Sequence, residues 1–154
     1  MGKQAGLFRR SAAFLIDFAV LEVLRGVIFK PLFEGKEIST DQIYEAALAG
    51  QLEELSQMLV WLLVVLHLVF LLWGIYFIWF TWQLGQTPGK KILGIIVVRE
   101  DGQPMSLKVS FVRFIGLNIS LAAFGLGFIW AAFDKKGQTL HDKMSKTQTV
   151  LQTS

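Results

Sequence analysis

The chain has 154 residues, 53% of them hydrophobic, with thirteen Phe, five Trp and a mean hydropathy of +0.51. That composition excludes an ordinary soluble domain of this size and points to an integral membrane protein. The net charge of +3 forms no nucleic-acid-binding patch, and the absence of cysteine excludes disulfides, thiolate metal sites and cysteine nucleophiles.

Lys3, Arg9 and Arg10 open the chain, and an apolar run over about 8–33 follows. The run is broken by Asp17, Glu22 and Arg25 and is followed by no small-residue cleavage site, so it predicts a retained span instead of a signal peptide. Pro31 and the polar stretch after it mark its expected end. Between Glu34 and Gln57, six carboxylates (Glu34, Glu37, Asp41, Glu45, Glu53, Glu54) face the single Lys36, a net of −5. Within this loop Ser39-Thr-Asp-Gln42 has capping-box spacing, which predicts a short surface helix from about Thr40. The second span, about 55–84, carries no formal charge. It exceeds the roughly 20 residues needed to cross a hydrocarbon core of about 30 Å.

Gly85-Gln-Thr87-Pro-Gly89-Lys90-Lys91 then supplies a turn and two positive charges. Its spacing is one residue short of a phosphate-binding loop and lacks the closing Ser or Thr, so nucleotide binding is not expected. The β-branched run 92–98, followed by Asp101-Gly102, predicts a strand, with the alternating segment 147–151 as its partner. Ser106 is the predicted N-cap of a third apolar segment, about 107–133, which carries Lys108, Arg113 and Asn118, then Gly125 and Gly127. A full crossing there would set Lys135, Lys136, Lys143 and Lys146 opposite the basic N-terminus, against the positive-inside rule. A segment bent near Asn118 to Gly127 that re-enters is therefore expected, with a third full span as the alternative. Residues 1–154 read as one all-α membrane domain of two transmembrane helices plus this segment, with a small cytoplasmic β-pairing of 92–98 with 147–151. The N-terminus, the loop after Gly85 and the tail are expected on the cytoplasmic side.

A charge at mid-bilayer depth is costly and marks a functional site by default, which singles out Asp17. At about 100° per residue, Arg10, Asp17 and Arg25 share a stripe about 80° wide, with Glu22 within pairing range of Arg25. Burial disfavours an ionised carboxylate and a neighbouring arginine favours it. Two readings of Asp17 follow: a permanent structural ion pair, or a site where protons compete with monovalent cations such as Na⁺, Li⁺ or K⁺. His67, alone among Leu and Val, is either a hydrogen-bonded helix contact or a proton relay to Asp17. Asp134, His141 and Asp142 make too thin a set for a metal site. No nucleophile–base pair stands out, so no catalytic residue, enzyme activity or cofactor is expected.

Arg10-Ser-Ala-Ala13-Phe-Leu-Ile16-Asp17 matches the R-x-x-A-x-x-I-D opening of the RDD family of bacterial membrane proteins. Gly85-Gln-Thr87-Pro-Gly89-Lys90, Leu93 to Val98, Asp101-Gly102, Arg113, Gln138-Thr-Leu140-His141-Asp142 and Thr147 follow in family order. The chain resembles that family over nearly its whole length. The family is named for one arginine and two aspartates, and the resemblance implies Arg10, Asp17 and Asp142 for these, with Asp134 the rival for the third. It also implies a multi-pass protein of the bacterial cytoplasmic membrane for which transport is suspected, cation/proton exchange having been proposed for some members. Glu22 and Arg25 lie outside the family pattern. Two or three spans enclose little volume, so a homo-oligomer or a partner membrane subunit is expected to complete any path. The alternative is a non-transporting scaffold or accessory subunit that packs against a partner.

Overall fold

The computed structural model describes residues 3–35 and 38–152. Lys36 and Glu37, two of the charges in the acidic loop, lie outside the described residues. The elements are α1 (Leu7–Phe33), α2 (Thr40–Leu48), α3 (Leu52–Leu84), α4 (Pro88–Ile92), β1 (Ile95–Arg99), α5 (Leu107–Ala122), α6 (Leu126–Phe133), α7 (Leu140–Met144) and β2 (Thr147–Leu151). The chain is mostly helical and divides into two units, residues 1–20 with 74–154, and residues 21–73.

Among the described residues, α3 is the one helix both long and apolar enough to cross a membrane by itself. Only 6% of its most apolar stretch is buried, so its Leu and Val side chains are turned outward, unlike those of a soluble core helix. α1 has the length, 27 residues, but carries Arg9, Arg10, Asp17, Glu22, Arg25 and Lys30, and these charges keep it from qualifying as a span by composition. Of the two spans expected from sequence, α3 is thus the clear apolar candidate. α1 also continues through Pro31 to Phe33 instead of stopping at the proline. Only two helical residues follow the ring, so the lost hydrogen bond interrupts little.

In the 21–73 unit, α2 starts where the capping box predicts. Gln42 N donates to Ser39 Oγ at 3.2 Å, and Ser39 N donates to Gln42 Oε1 at 3.0 Å.

In the other unit, Ser106 caps α5 as expected, its Oγ accepting from Val109 N at 3.3 Å. α5 and α6 meet at 101° across residues 123–125, inside the stretch where a bend is predicted. Gly125 takes a φ of 80° there, a conformation open to a residue without Cβ.

β1 pairs antiparallel with β2, setting Ile95 opposite Leu151, Val97 opposite Thr149 and Arg99 opposite Thr147. The predicted 147–151 strand is present, but the predicted 92–98 strand begins late, at Ile95. Pro88, with its fixed φ, occupies the first turn of a helix, so residues 88–92 close as α4 before the chain turns at Leu93-Gly94. The N-terminus binds the other edge of β2: Ala5 N donates to Thr149 O at 3.0 Å and Leu151 N to Lys3 O at 2.8 Å. Ala5, Ala13 and Ile95 form the apolar core here, with Leu93 and Leu151 packed against them.

α7 lies close against α5, and the contact depends on Gly116, where an added Cβ would stand 2.9 Å from His141 Cα. Gly116→Ala is expected to force the two helices apart at an overpacking cost of about 1–3 kcal/mol. A thermal melt of the detergent-purified protein checks this, with Gly6→Ala, which adds a Cβ in open space, expected to melt like the wild type.

Candidate functional site

The unit built from 1–20 and 74–154 removes two carboxylates from solvent: Asp17 is 1% exposed and Asp142 0%. Neutral groups satisfy Asp17. Its Oδ1 accepts from the Tyr76 hydroxyl at 2.8 Å and from Gly89 N at 2.8 Å, and its Oδ2 accepts from the Thr87 hydroxyl at 2.5 Å. Thr87 and Gly89 flank Pro88 in the turn that opens α4, so this turn presents a hydroxyl and an amide to the carboxylate. Gly89 has no substitute there, because a Cβ would fall on the Ala13 carbonyl oxygen and 2.9 Å from Asp17 Oδ1. Gly85, at φ 66°, turns the chain out of α3, and its carbonyl accepts from Val97 N at 2.8 Å.

Cationic groups satisfy Asp142. Arg10 Nη1 donates to Oδ2 at 2.8 Å, and Arg113 Nη1 pairs with Oδ1. Thr139 N donates to Oδ2 at 3.2 Å and Asp142 N donates to Thr139 Oγ1 at 3.3 Å, which is the capping box of α7. The arginines reach further. Arg10 donates to the carbonyls of Ala5 (2.9 Å) and Thr149 (3.0 Å), and Arg113 to the hydroxyls of Thr147 (2.5 Å) and Thr149 (3.1 Å). Burial alone would raise the pKa of Asp142, but the adjacent Arg113 and Arg10 outweigh it and hold the carboxyl well below the usual range.

The sequence stripe therefore separates in space. Arg10 is the counter-ion of Asp142, not of Asp17, which has no arginine partner among the described residues. Arg25 pairs with Glu22 at 2.8 Å in a half-exposed i,i+3 bridge within the other unit. His67, on the same unit, is exposed, with Nδ1 2.7 Å from the Leu63 carbonyl of its own helix. Asp134 caps the turn before Gln138 and pairs with exposed Lys143 at 2.6 Å. Asp142, the buried one, is the carboxylate that joins Arg10.

Beside Asp17 lies a chamber of about 40 Å³ whose polar walls include Arg10, Asp17, Lys90, Ser110, Arg113 and His141. Phe14, Phe77 and Phe128 line its apolar side, with Phe14 centred 6.2 Å from Phe77 and 5.6 Å from Phe128. Ser110 Oγ and His141 Nδ1 are buried without a hydrogen-bond partner. Burial, with Arg113 nearby, pushes His141 down to about 3, so its imidazole is neutral at physiological pH. Burial and the same arginine bring the half-buried Lys90 down to about 8. Sequence reasoning missed Tyr76, Ser110 and the N-terminal anchor at Gln4 and Ala5, which no local pattern announces. The spacing Thr139-x-x-Asp142 was readable as a helix cap, and Arg113 is a charge within an apolar run just as Asp17 is.

Replacing Asp142 with Asn leaves Arg10 and Arg113 buried without a counter-ion, a loss of about 3–5 kcal/mol. Melting should reveal it, with Asp134→Asn close to wild type. Because the Asp142 pKa is depressed on folding, its contribution is fully present above the ordinary carboxylate value of about 4 and fades only in stronger acid. An acid titration of wild type followed by circular dichroism should therefore keep the folded signal down to that value.

Comparisons with known proteins place the chain in a family. The sequence profile of the RDD family matches residues 4–146. The chain is 45% identical over 65 residues to the uncharacterized protein YxaI of Bacillus subtilis (strain 168), covering 42% of each chain. It is 35% identical over 97 residues to the proline-rich antigen homolog of Mycobacterium tuberculosis, covering 62% of this chain and 40% of the relative. An alignment of 157 positions to the uncharacterized protein YckC of Bacillus subtilis, at 31% identity, covers 98% of this chain and 87% of that one. The chain thus spans about two fifths of the length of the first two relatives. No solved structure matches. Arg10, Asp17 and Asp142 stand within the matched region, and the chain belongs to the RDD family.

Proposed function

We propose that this membrane protein moves a small ion in a proton-coupled manner, with the chamber beside Asp17 as its binding site. One observation carries the reading: a chamber lined by titratable groups, with two of its residues carrying buried polar atoms that lack partners among the described residues. A purely structural ion pair requires no such volume. Proton coupling draws support from Lys90, whose pKa of about 8 lets it change charge near physiological pH. The protein sits in the bacterial cytoplasmic membrane with its basic N-terminus inside, a placement that rests on the distribution of Lys and Arg. α3, α1 and the bent α5–α6 pair supply the membrane-embedded helices. So few helices enclose little, and a homo-oligomer or a partner membrane subunit completes the path. We assign no reaction chemistry to the chain.

Exchange of Na⁺, Li⁺ or K⁺ for protons at Asp17 itself would require the carboxylate to release Tyr76, Thr87 or Gly89 as donors first. The second reading, a non-transporting scaffold, draws on the Arg10–Asp142–Arg113 cluster, which ties four chain segments together without any mobile ion.

Asp17→Asn separates the two. The amide oxygen still accepts from Tyr76 and Gly89, and the Thr87 hydroxyl can turn to accept from the new NH₂, so folding is retained while the charge is lost. In reconstituted vesicles carrying a pH-sensitive dye, gradients of Na⁺, Li⁺, K⁺ or Cl⁻ are expected to drive proton flux in wild type and at least about tenfold less in Asp17→Asn. Wild-type vesicles silent to every one of these gradients would leave the scaffold reading.

A further inference from the structure

If the chamber takes an ion, the charges around it set the ion's sign. α1 contributes Arg10 and Asp17, α4 Lys90, α5 Arg113, and α7 His141 and Asp142, while α3 contributes the neutral Tyr76 and Thr81. Both arginines are engaged by Asp142, and Asp17 is covered by three neutral donors. Lys90 is left over: its ammonium lines the chamber, and among the described residues no carboxylate stands within ion-pair distance of it. The chamber is also lined by Ser110, 1% exposed, and His141, 7% exposed, whose Oγ and Nδ1 lack a partner among the described residues. Both can donate, the hydroxyl by rotating and the neutral imidazole by carrying its proton on Nδ1.

Water in the chamber would satisfy these two atoms and leave the ammonium with only the carboxylates of Asp17 and Asp142, beyond ion-pair distance, set against the two arginines. A cation would add to the charge already present. An anion answers all three groups, and the chamber has room for a small one.

We propose that the chamber is a site for a small monovalent anion of halide size, held against the Lys90 ammonium by the Ser110 hydroxyl and the Nδ1–H of neutral His141. The inference rests on the transport reading for its purpose, but its chemistry is that of equilibrium binding. Lys90, brought to about 8 chiefly by burial, loses its charge as pH rises through that value, and the anion leaves with it. Over the same range His141, at about 3, stays neutral and Asp142 stays ionised. Anion uptake and protonation of Lys90 are therefore linked, which couples the ion to the proton.

The test is chloride NMR line width on the full-length protein purified in detergent, at pH values well below and well above 8. Saturable broadening is expected at the lower pH, displaced by bromide but not by gluconate, and lost at the higher. Lys90→Met is expected to weaken binding roughly tenfold or more and Lys90→Arg to restore most of it. Ser110→Ala, which removes one donor without removing a charge, should weaken it roughly three- to tenfold and covers the case in which Lys90→Met fails to fold. Lys91→Met, the same charge change on an exposed neighbour, should bind as wild type does. No saturable broadening in wild type would mean a chamber holding water only and would overturn the proposal, as would equal losses in Lys90→Met and Lys91→Met. Binding without flux in the vesicle assay would retain the anion site and end the transport reading. Flux without halide binding would do the reverse.

Discussion

A carboxylate taken out of water must find donors for its oxygens, and this small fold buries two within one unit, so most of that unit's architecture follows from how each is supplied. Asp142 is served by charge, from Arg10 and Arg113. Because Arg10 lies 132 residues before it, the pairing closes the N-terminus onto the tail. The arginines then spend their remaining N–H groups on Ala5, Thr147 and Thr149, fixing the N-terminal segment and β2 about the same point. Asp17 is served by dipoles instead, and its donors at Tyr76, Thr87 and Gly89 hold α1, α3 and the turn before α4 in register. Removing one member of such a cluster is far worse than never having built it, since the partner left behind is buried and unpaired.

The parts of this arrangement legible in the sequence are those with a local signature. The capping boxes at Ser39 and the N-cap at Ser106 depend only on residues three apart, and the β2 strand shows itself by alternation. The Gly85–Lys90 turn was visible as a turn, but its purpose was not, because nothing local says that Thr87 and Gly89 point at a carboxylate 70 and 72 residues earlier. The strand predicted from Ile92 failed for a related reason: β-branched composition ran back to that residue, while Pro88 had already committed residues 88–92 to a helical turn. The stripe of Arg10, Asp17 and Arg25 was good geometry on a bare helix, and it misled because partners are chosen by the whole fold. Arg10 found a carboxylate at the far end of the chain, and Arg25 found Glu22 one turn away.

α3 shows how one apolar run can serve two purposes. Along Leu59–Trp73 its side chains are Leu, Val and aromatic apart from His67, and most of the large ones are exposed, as suits a surface covered by lipid. From Gly74 onward the composition shifts to include Gly74, Tyr76 and Thr81, and these are buried. Gly74 brings its backbone near the Phe114 ring, and Tyr76 places a hydroxyl on Asp17. Mean hydropathy does not register the change, since a few small or hydroxyl-bearing residues among tryptophans and phenylalanines alter the average little, yet they decide which stretch of the helix faces protein.

The consequence for function lies in one short turn. Thr87, Gly89 and Lys90 fall within four consecutive residues, two of them satisfying Asp17 and the third lining the chamber with an unpaired charge. The backbone here is closely constrained, by Pro88 in the first turn and by Gly89 pressed against the Ala13 carbonyl, so the turn can shift only as a body. A displacement of this backbone therefore bears both on the donors of Asp17 and on the seat of Lys90. A carboxylate and an ammonium are thus held by one short segment. An ion entering beside Lys90, as proposed above, would therefore act on the same turn that supplies the donors of Asp17.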